Sequence, residues 1–215
     1  MKNIKFIGLG SITVSIYSCS EDQQVPTSKP ETANEVIDPF EFITAGSHEY
    51  AYYKLVDDSI SSTAMDNEPL NTETKEYDLN NDGKNDVSFT TAGSGGLGGW
   101  RVTSFFLPLD SNEVVRSQCY FTDLKSLWSP TPLEEDDLID DQLNFAPFKV
   151  GSGEGLEISY DGSHSKLNCW ENNVVQYIGV KITNTDAVEY AWIKAAVNTT
   201  PNKTTTYIKS FGSRQ

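Results

Sequence analysis

"QYIGVKITNTDAVEYAWIKAAV", residues 176–197, holds two apolar runs on either side of a polar cluster. In "IGVKI" the side chains of Ile178, Val180 and Ile182 alternate with Gly179 and Lys181, which is the period of a half-buried strand. "TNTD" is a turn cluster, and "EYAWIKAAV" is a second run rich in strand-forming residues. The same reading extends outward. "LEISY" sets Leu156, Ile158 and Tyr160 against Glu157 and Ser159, and "EYAYYKLV", "DVSFTT", "RVTSFFLPL", "VVRSQCYF" and "TTTYIKSF" are similar runs. Between them lie "LDSNE", "YDGSH" and "TTPNK", whose residues favour turns. No long segment has a helical period. Eight or more strands joined by polar turns predict an all-β fold, an antiparallel β-sandwich with a jelly-roll-like pair of sheets. The acidic stretch "PLEEDDLIDDQLNF", residues 132–145, lacks a clean apolar stripe and is expected to be a charged loop between strands.

The chain has 215 residues, 16 Lys and Arg against 31 Asp and Glu, and a formal charge of −15. Such acidity excludes nucleic-acid partners, whose binding draws on Lys and Arg displacing counterions from phosphates.

The first residues are expected to lie outside the fold. "MKNIK" is a basic start, and "FIGLGSITVSIY" is an uncharged run of twelve, too short for the ~20 residues of a spanning helix. "IYSC", ending at Cys19, resembles a bacterial lipobox, which implies lipidation of Cys19 after removal of residues 1–18. Loss of Lys2 and Lys5, with no acid lost, takes the formal charge from −15 to −17. Residues 19–38, rich in Ser, Thr, Glu, Asp and Pro, read as a flexible acidic tether, leaving 39–215 for a single sandwich domain. Glu21 and Asp22 resemble the surface-export signal of Bacteroidetes lipoproteins. The expected location is therefore the outer membrane, on its surface or periplasmic face, with the membrane met through the anchor at Cys19. Cys119 and Cys169 would then meet an oxidising compartment, and a disulfide closing a loop of some fifty residues would stabilise the fold by roughly 4 kcal/mol.

"DLNNDGKND", residues 78–86, places Asp78, Asn80, Asp82 and Asp86 at positions 1, 3, 5 and 9, Gly83 at 6 and the Lys84 carbonyl at 7. Oxygen donors at this spacing suit Ca²⁺ and follow the first part of an EF-hand loop. At position 12 the bidentate glutamate is missing, because Phe89 stands there, and the flanks read as strand. The motif resembles the calcium loops of dockerins, integrin-type propeller repeats and thrombospondin type 3 repeats. Without an ion the same residues would make a plain hairpin turn rich in Asn and Gly; the five-donor spacing favours the cation, in a structural role.

Other features are weaker. "TAGSGGLGGW" lacks the Lys and the following helix of a phosphate loop and reads as a strand connection. His48 and His164 sit in no nucleophile or metal signature. Trp192 is expected in the core, while Trp100, Trp128 and Trp170 could fill a core or stack on sugars. "DSI", residues 58–60, resembles a short Bacteroidetes O-glycosylation motif centred on Ser59.

"YDLNNDGKNDVSF", "QYIGVKITNTDAVEYAWIKAAV" and "TYIKSF" together resemble a loose family of exported bacterial lipoproteins of Bacteroidetes type. In that family an Asp-x-Asn-x-Asp-Gly strand precedes the body, and a Tyr-Ile-Gly strand pairs with a Tyr-Gly-Trp-Ile strand. Here Ala191 replaces the second glycine. The resemblance implies a β-sandwich on the cell exterior and brings no activity with it. The expectation is a calcium-stabilised binding or structural module with a glycan or protein ligand. The alternative, a calcium-dependent glycan-acting enzyme, would require two carboxylates about 5 to 9 Å apart in a cleft.

Overall fold

The alternating runs become strands because each second side chain has a buried layer to enter. The computed structural model describes residues 42–49, 51–65, 69–96, 99–121, 125–147, 156–161, 170–184 and 187–214, and among them there is no helix. The strands are β1 (Phe42–Thr44), β2 (Ala51–Thr63), β3 (Asn71–Tyr77), β4 (Val87–Gly96), β5 (Gly99–Pro108), β6 (Glu113–Phe121) and β7 (Lys125–Pro130). They continue with β8 (Leu138–Asp140), β9 (Phe145–Pro147), β10 (Leu156–Asp161), β11 (Val175–Thr183), β12 (Val188–Thr200) and β13 (Lys203–Arg214). One sheet has the order β10-β5-β4-β3, and the larger runs β2-β13-β12-β11-β6-β7 with β9 added to β6. Their strand pairings are antiparallel. The described residues fall within one compact unit, Asp38–Gln215.

The two sheets enclose the main core, as a sandwich requires. Leu79, Val87, Phe89 and Phe106 from the smaller sheet and its loop pack against Ile178, Ile193, Ile208 and Phe211 of the larger. Phe89 and Phe106 meet edge to face at 5.0 Å. Burying each such side chain is worth roughly 1.5–3 kcal/mol.

Strand β12 departs from simple alternation because it is buried on both faces. Ala191, Ile193, Ala195 and Val197 enter the main core, whereas Tyr190 and Trp192 enter a second cluster with Ile43, Ala45, Leu133 and Ile139. That second cluster lies under the acidic stretch 132–145, which is more than the solvated loop the sequence suggests. Leu133 and Tyr177 exchange backbone hydrogen bonds of 2.9 Å in each direction, and Leu138–Asp140 pairs with β1. Glu134 to Asp137 stay exposed while Ile139 is fully buried. The segment is a cover with an acidic outside and an apolar inside.

Strand β3 escapes the sequence reading because its half-buried positions are polar. Asn71 exchanges hydrogen bonds with the Thr63 backbone at 3.2 and 2.6 Å, and Glu73 accepts the Ser61 N–H at 2.8 Å. Lys75 donates to Asp58 at 2.6 Å. These side chains occupy the free edge of β2, which would otherwise invite pairing with another chain.

Candidate functional site

Tyr77 at the end of β3 pairs with Val87 at the start of β4, so Asp78–Asp86 is the loop of a hairpin. The Asp86 N–H donates to the Tyr77 carbonyl at 2.8 Å and closes it. Inside the loop, backbone amides turn the oxygen-bearing side chains inward. Asp78 accepts the N–H groups of Asp82 (3.2 Å, Oδ1) and Gly83 (2.8 Å, Oδ2). Asn80 Oδ1 accepts from Asp82 N–H at 3.2 Å, and Asp82 Oδ1 from Lys84 N–H at 2.8 Å. Asp86 Oδ2 accepts the Leu79 N–H at 2.8 Å. Asn81 and Gly83 adopt left-handed backbone at φ 62° and 89°, which only Gly, Asn and Asp accept readily. Leu79 is fully buried and plugs the loop into the main core. A carboxylate oxygen that accepts one N–H retains a lone pair, so these bonds orient the donors without exhausting them.

Asp86 is the anchor of the site and is only 4% exposed. Burial pushes its carboxyl up from the ordinary carboxylate range, against the lowering effect of the Leu79 N–H and the Asn112 amide, and the charges of Asp82 and Asp78 push it further. Asn112 Nδ2 donates to Asp86 Oδ1 at 3.1 Å and to the Asp86 carbonyl at 3.2 Å, while its Oδ1 accepts the Thr183 N–H at 3.0 Å. One buried amide thereby ties three turns together. Asn80 Nδ2 donates to Glu189 Oε2 at 3.0 Å, bringing a fourth acid from β12 to the loop. Where the three turns meet there is an open cavity of about 380 Å³, with Asp82 and Asp86 on one side, Asp110 and Ser111 on a second, and Thr183 and Asn184 on a third.

The donor types suit a hard cation: carboxylates, an amide oxygen and the Lys84 carbonyl. Phe89, at the position where an EF-hand has its bidentate glutamate, is 1% exposed in the core and supplies nothing. Among the described residues no three His, Cys, Asp or Glu side chains are gathered as a ready metal cluster, so the amide and carbonyl donors of the loop would have to share in holding an ion.

The other sequence candidates scatter. "TAGSGGLGGW" spans the β4–β5 hairpin, with Gly96 paired to Gly99. Trp192 and Trp170 are each 1% exposed, and Trp170 donates its indole N–H to the Pro130 carbonyl at 2.8 Å. Trp128 is half-buried with the Arg116 guanidinium 4.3 Å from its ring. Ser59 is exposed on β2, and its neighbour Asp58 is held by Lys75 at 2.6 Å and by the Tyr77 hydroxyl at 3.2 Å. Cys119 lies on β6 opposite Leu127. Cys19, Cys169, His164 and residues 1–38 lie outside the described residues.

Asn112, Asp110 and Glu189 are the neighbours that sequence reasoning did not find. "LDSNE" is legible as a turn, but nothing in it says that the turn lies beside residues 78–86. No protein-family model, curated protein or solved structure matches the chain.

Proposed function

We propose that this protein is a lipid-anchored module of the bacterial outer membrane whose hairpin loop Asp78–Asp86 binds Ca²⁺ and which serves binding or structure. The observation carrying the calcium reading is the buried carboxylate of Asp86, set beside the charges of Asp78 and Asp82 in a loop already turned inward by its own amides. Unneutralised, that charge opposes the closed loop; a divalent cation turns the same charge into a tie between β3 and β4. Asp78, Asn80, Asp82, Asp86 and the Lys84 carbonyl are its donors, and its role is structural. The lipobox-like "IYSC" and the resemblance to exported lipoproteins support the anchor at Cys19 and the location. The disulfide between Cys119 and Cys169 belongs to the same reading. Trp170, next in sequence to Cys169, is bonded to Pro130, which pairs with Arg116 three residues from Cys119 on β6.

Thermal unfolding in excess calcium and in chelator tests the reading. The midpoint is expected to rise with calcium in the wild type and to lose that dependence in Asp82→Ala. An unchanged wild-type midpoint would reduce the loop to a turn.

A further inference from the structure

The outer face of the larger sheet carries a second group of side chains unconnected with the cation loop. In register across three strands, Tyr53 on β2 pairs with Gly212 on β13, and Gly212 pairs with Trp192 on β12. The indole lies across this glycine: a Cβ built on Gly212 would stand 2.8 Å from ring atoms of Trp192 and 3.0 Å from its Nε1. Trp192 is 1% exposed, and among the described residues its Nε1–H has no hydrogen-bond partner. Buried indole N–H groups normally find an acceptor, because a donor left without one forfeits the hydrogen bond it had with water.

Beside the indole stands an aromatic stack that is itself exposed. His48 lies on the Tyr53 ring at 4.1 Å with 26° between planes, and the two rings are 6.4 and 6.0 Å from the indole. His48 is exposed and rides on the turn after β1, and Tyr53 is 37% exposed. Tyr177, another neighbour of the indole, brings further hydrogen-bonding groups. The Tyr177 ring meets the indole edge-on at 5.7 Å, its hydroxyl donates to Glu135 at 3.3 Å, and the Lys194 ammonium sits 5.2 Å from its centroid.

We infer that the Tyr53 face and the Trp192 N–H form a subsite for a neutral saccharide, which the imidazole of His48 fills in this structure. A pyranose ring has the size and flatness to replace the imidazole on Tyr53. One of its oxygens, a hydroxyl or an N-acetyl carbonyl, would accept the orphaned N–H, while Lys194 and Glu135 supply a donor and an acceptor at the rim. Aromatic stacking with a few placed polar groups is how such ligands are oriented. The subsite names a ligand class for the binding role proposed above, and it does not depend on the cation loop.

The test is an NMR titration of the ¹⁵N-labelled full chain, following the Trp192 indole N–H, assigned by Trp192→Phe, with chitotriose in one series and cellotriose in the other. Saccharide is expected to move that resonance in the wild type, and Tyr53→Ala to abolish the response. His48→Ala removes the competing occupant and should tighten binding, by roughly fivefold if most molecules hold the imidazole in place. A response to chitotriose alone assigns the acceptor to an acetamido carbonyl, and a response to both assigns it to a hydroxyl. An indole resonance unmoved by either sugar in His48→Ala overturns the inference, as does weaker binding in that variant. Repeating the titration in chelator separates this outcome from the calcium reading, since the subsite should persist without the ion.

Discussion

The side-chain amide of Asn112 donates to both the carboxylate and the backbone carbonyl of Asp86, at 3.1 and 3.2 Å, with both residues nearly sealed from solvent. This relationship couples the Asp78–Asp86 loop to the turn after β5, and through the Thr183 N–H to the end of β11.

Replacing Asn112 with alanine should therefore cost more than one ordinary hydrogen bond. It strips the buried Asp86 oxygens of a donor and the Thr183 N–H of its acceptor, for a loss of about 2–4 kcal/mol. Urea unfolding in chelator measures it. Asn112→Asp should be worse at neutral pH, because it sets a second carboxylate against Asp86 and gives no donor back.

The ion pair at the free edge of β2 predicts an acid limb to stability. The hydrogen bond from Lys75, aided by the Ser59 N–H, the ammonium charge and the Tyr77 hydroxyl, holds Asp58 below the usual carboxylate range despite some opposing burial. A carboxyl with a depressed folded pKa contributes stability above its unfolded pKa and loses it as the pH falls through the folded value. Asp58 is about one third exposed, so its share should be no more than about 1 kcal/mol. Denaturation midpoints from neutral pH down to pH ~2 should lose that component in Asp58→Asn.

Gly93 on β4 marks a close approach of the smaller sheet to β2. A Cβ there would stand 2.1 Å from the Thr63 carbonyl oxygen, a backbone atom that cannot rotate away. Gly93→Ala should cost about 3 kcal/mol or more by forcing the backbones apart, read as a fall in the chemical-denaturation midpoint.

Trp170→Phe keeps most of a fully buried ring and removes the donor to Pro130. The expected loss is about 1–3 kcal/mol, the cost of a buried carbonyl left without its partner. A loss near zero would mean that water replaces the indole N–H.

Much of the architecture is legible in the sequence. Period-two runs such as "IGVKI" and "DVSFTT" announce strands because half of each faces a core, and the antiparallel sandwich follows from having many of them. Strand β3 was not legible, since Asn71, Glu73 and Lys75 serve it through hydrogen bonds to β2, and no hydropathy pattern records a hydrogen bond. The acidic cover was misread for a related reason. Leu133, Ile139 and Phe145 are too far apart in sequence to form a stripe, yet they converge over Trp192 once Leu133 bridges to Tyr177 and Leu138–Asp140 pairs with β1.

By itself the sequence determined the eight strands that carry alternating or β-rich runs, the acidic character and the spacing of oxygen donors in Asp78–Asp86, because these depend on neighbours along the chain. Only the tertiary structure decided that Asn112 and Glu189 stand beside that loop, and that His48, Tyr53 and Trp192 share one face of the larger sheet. Those contacts join residues 26, 109 and well over 100 positions apart, and strand register, not local pattern, brings them together.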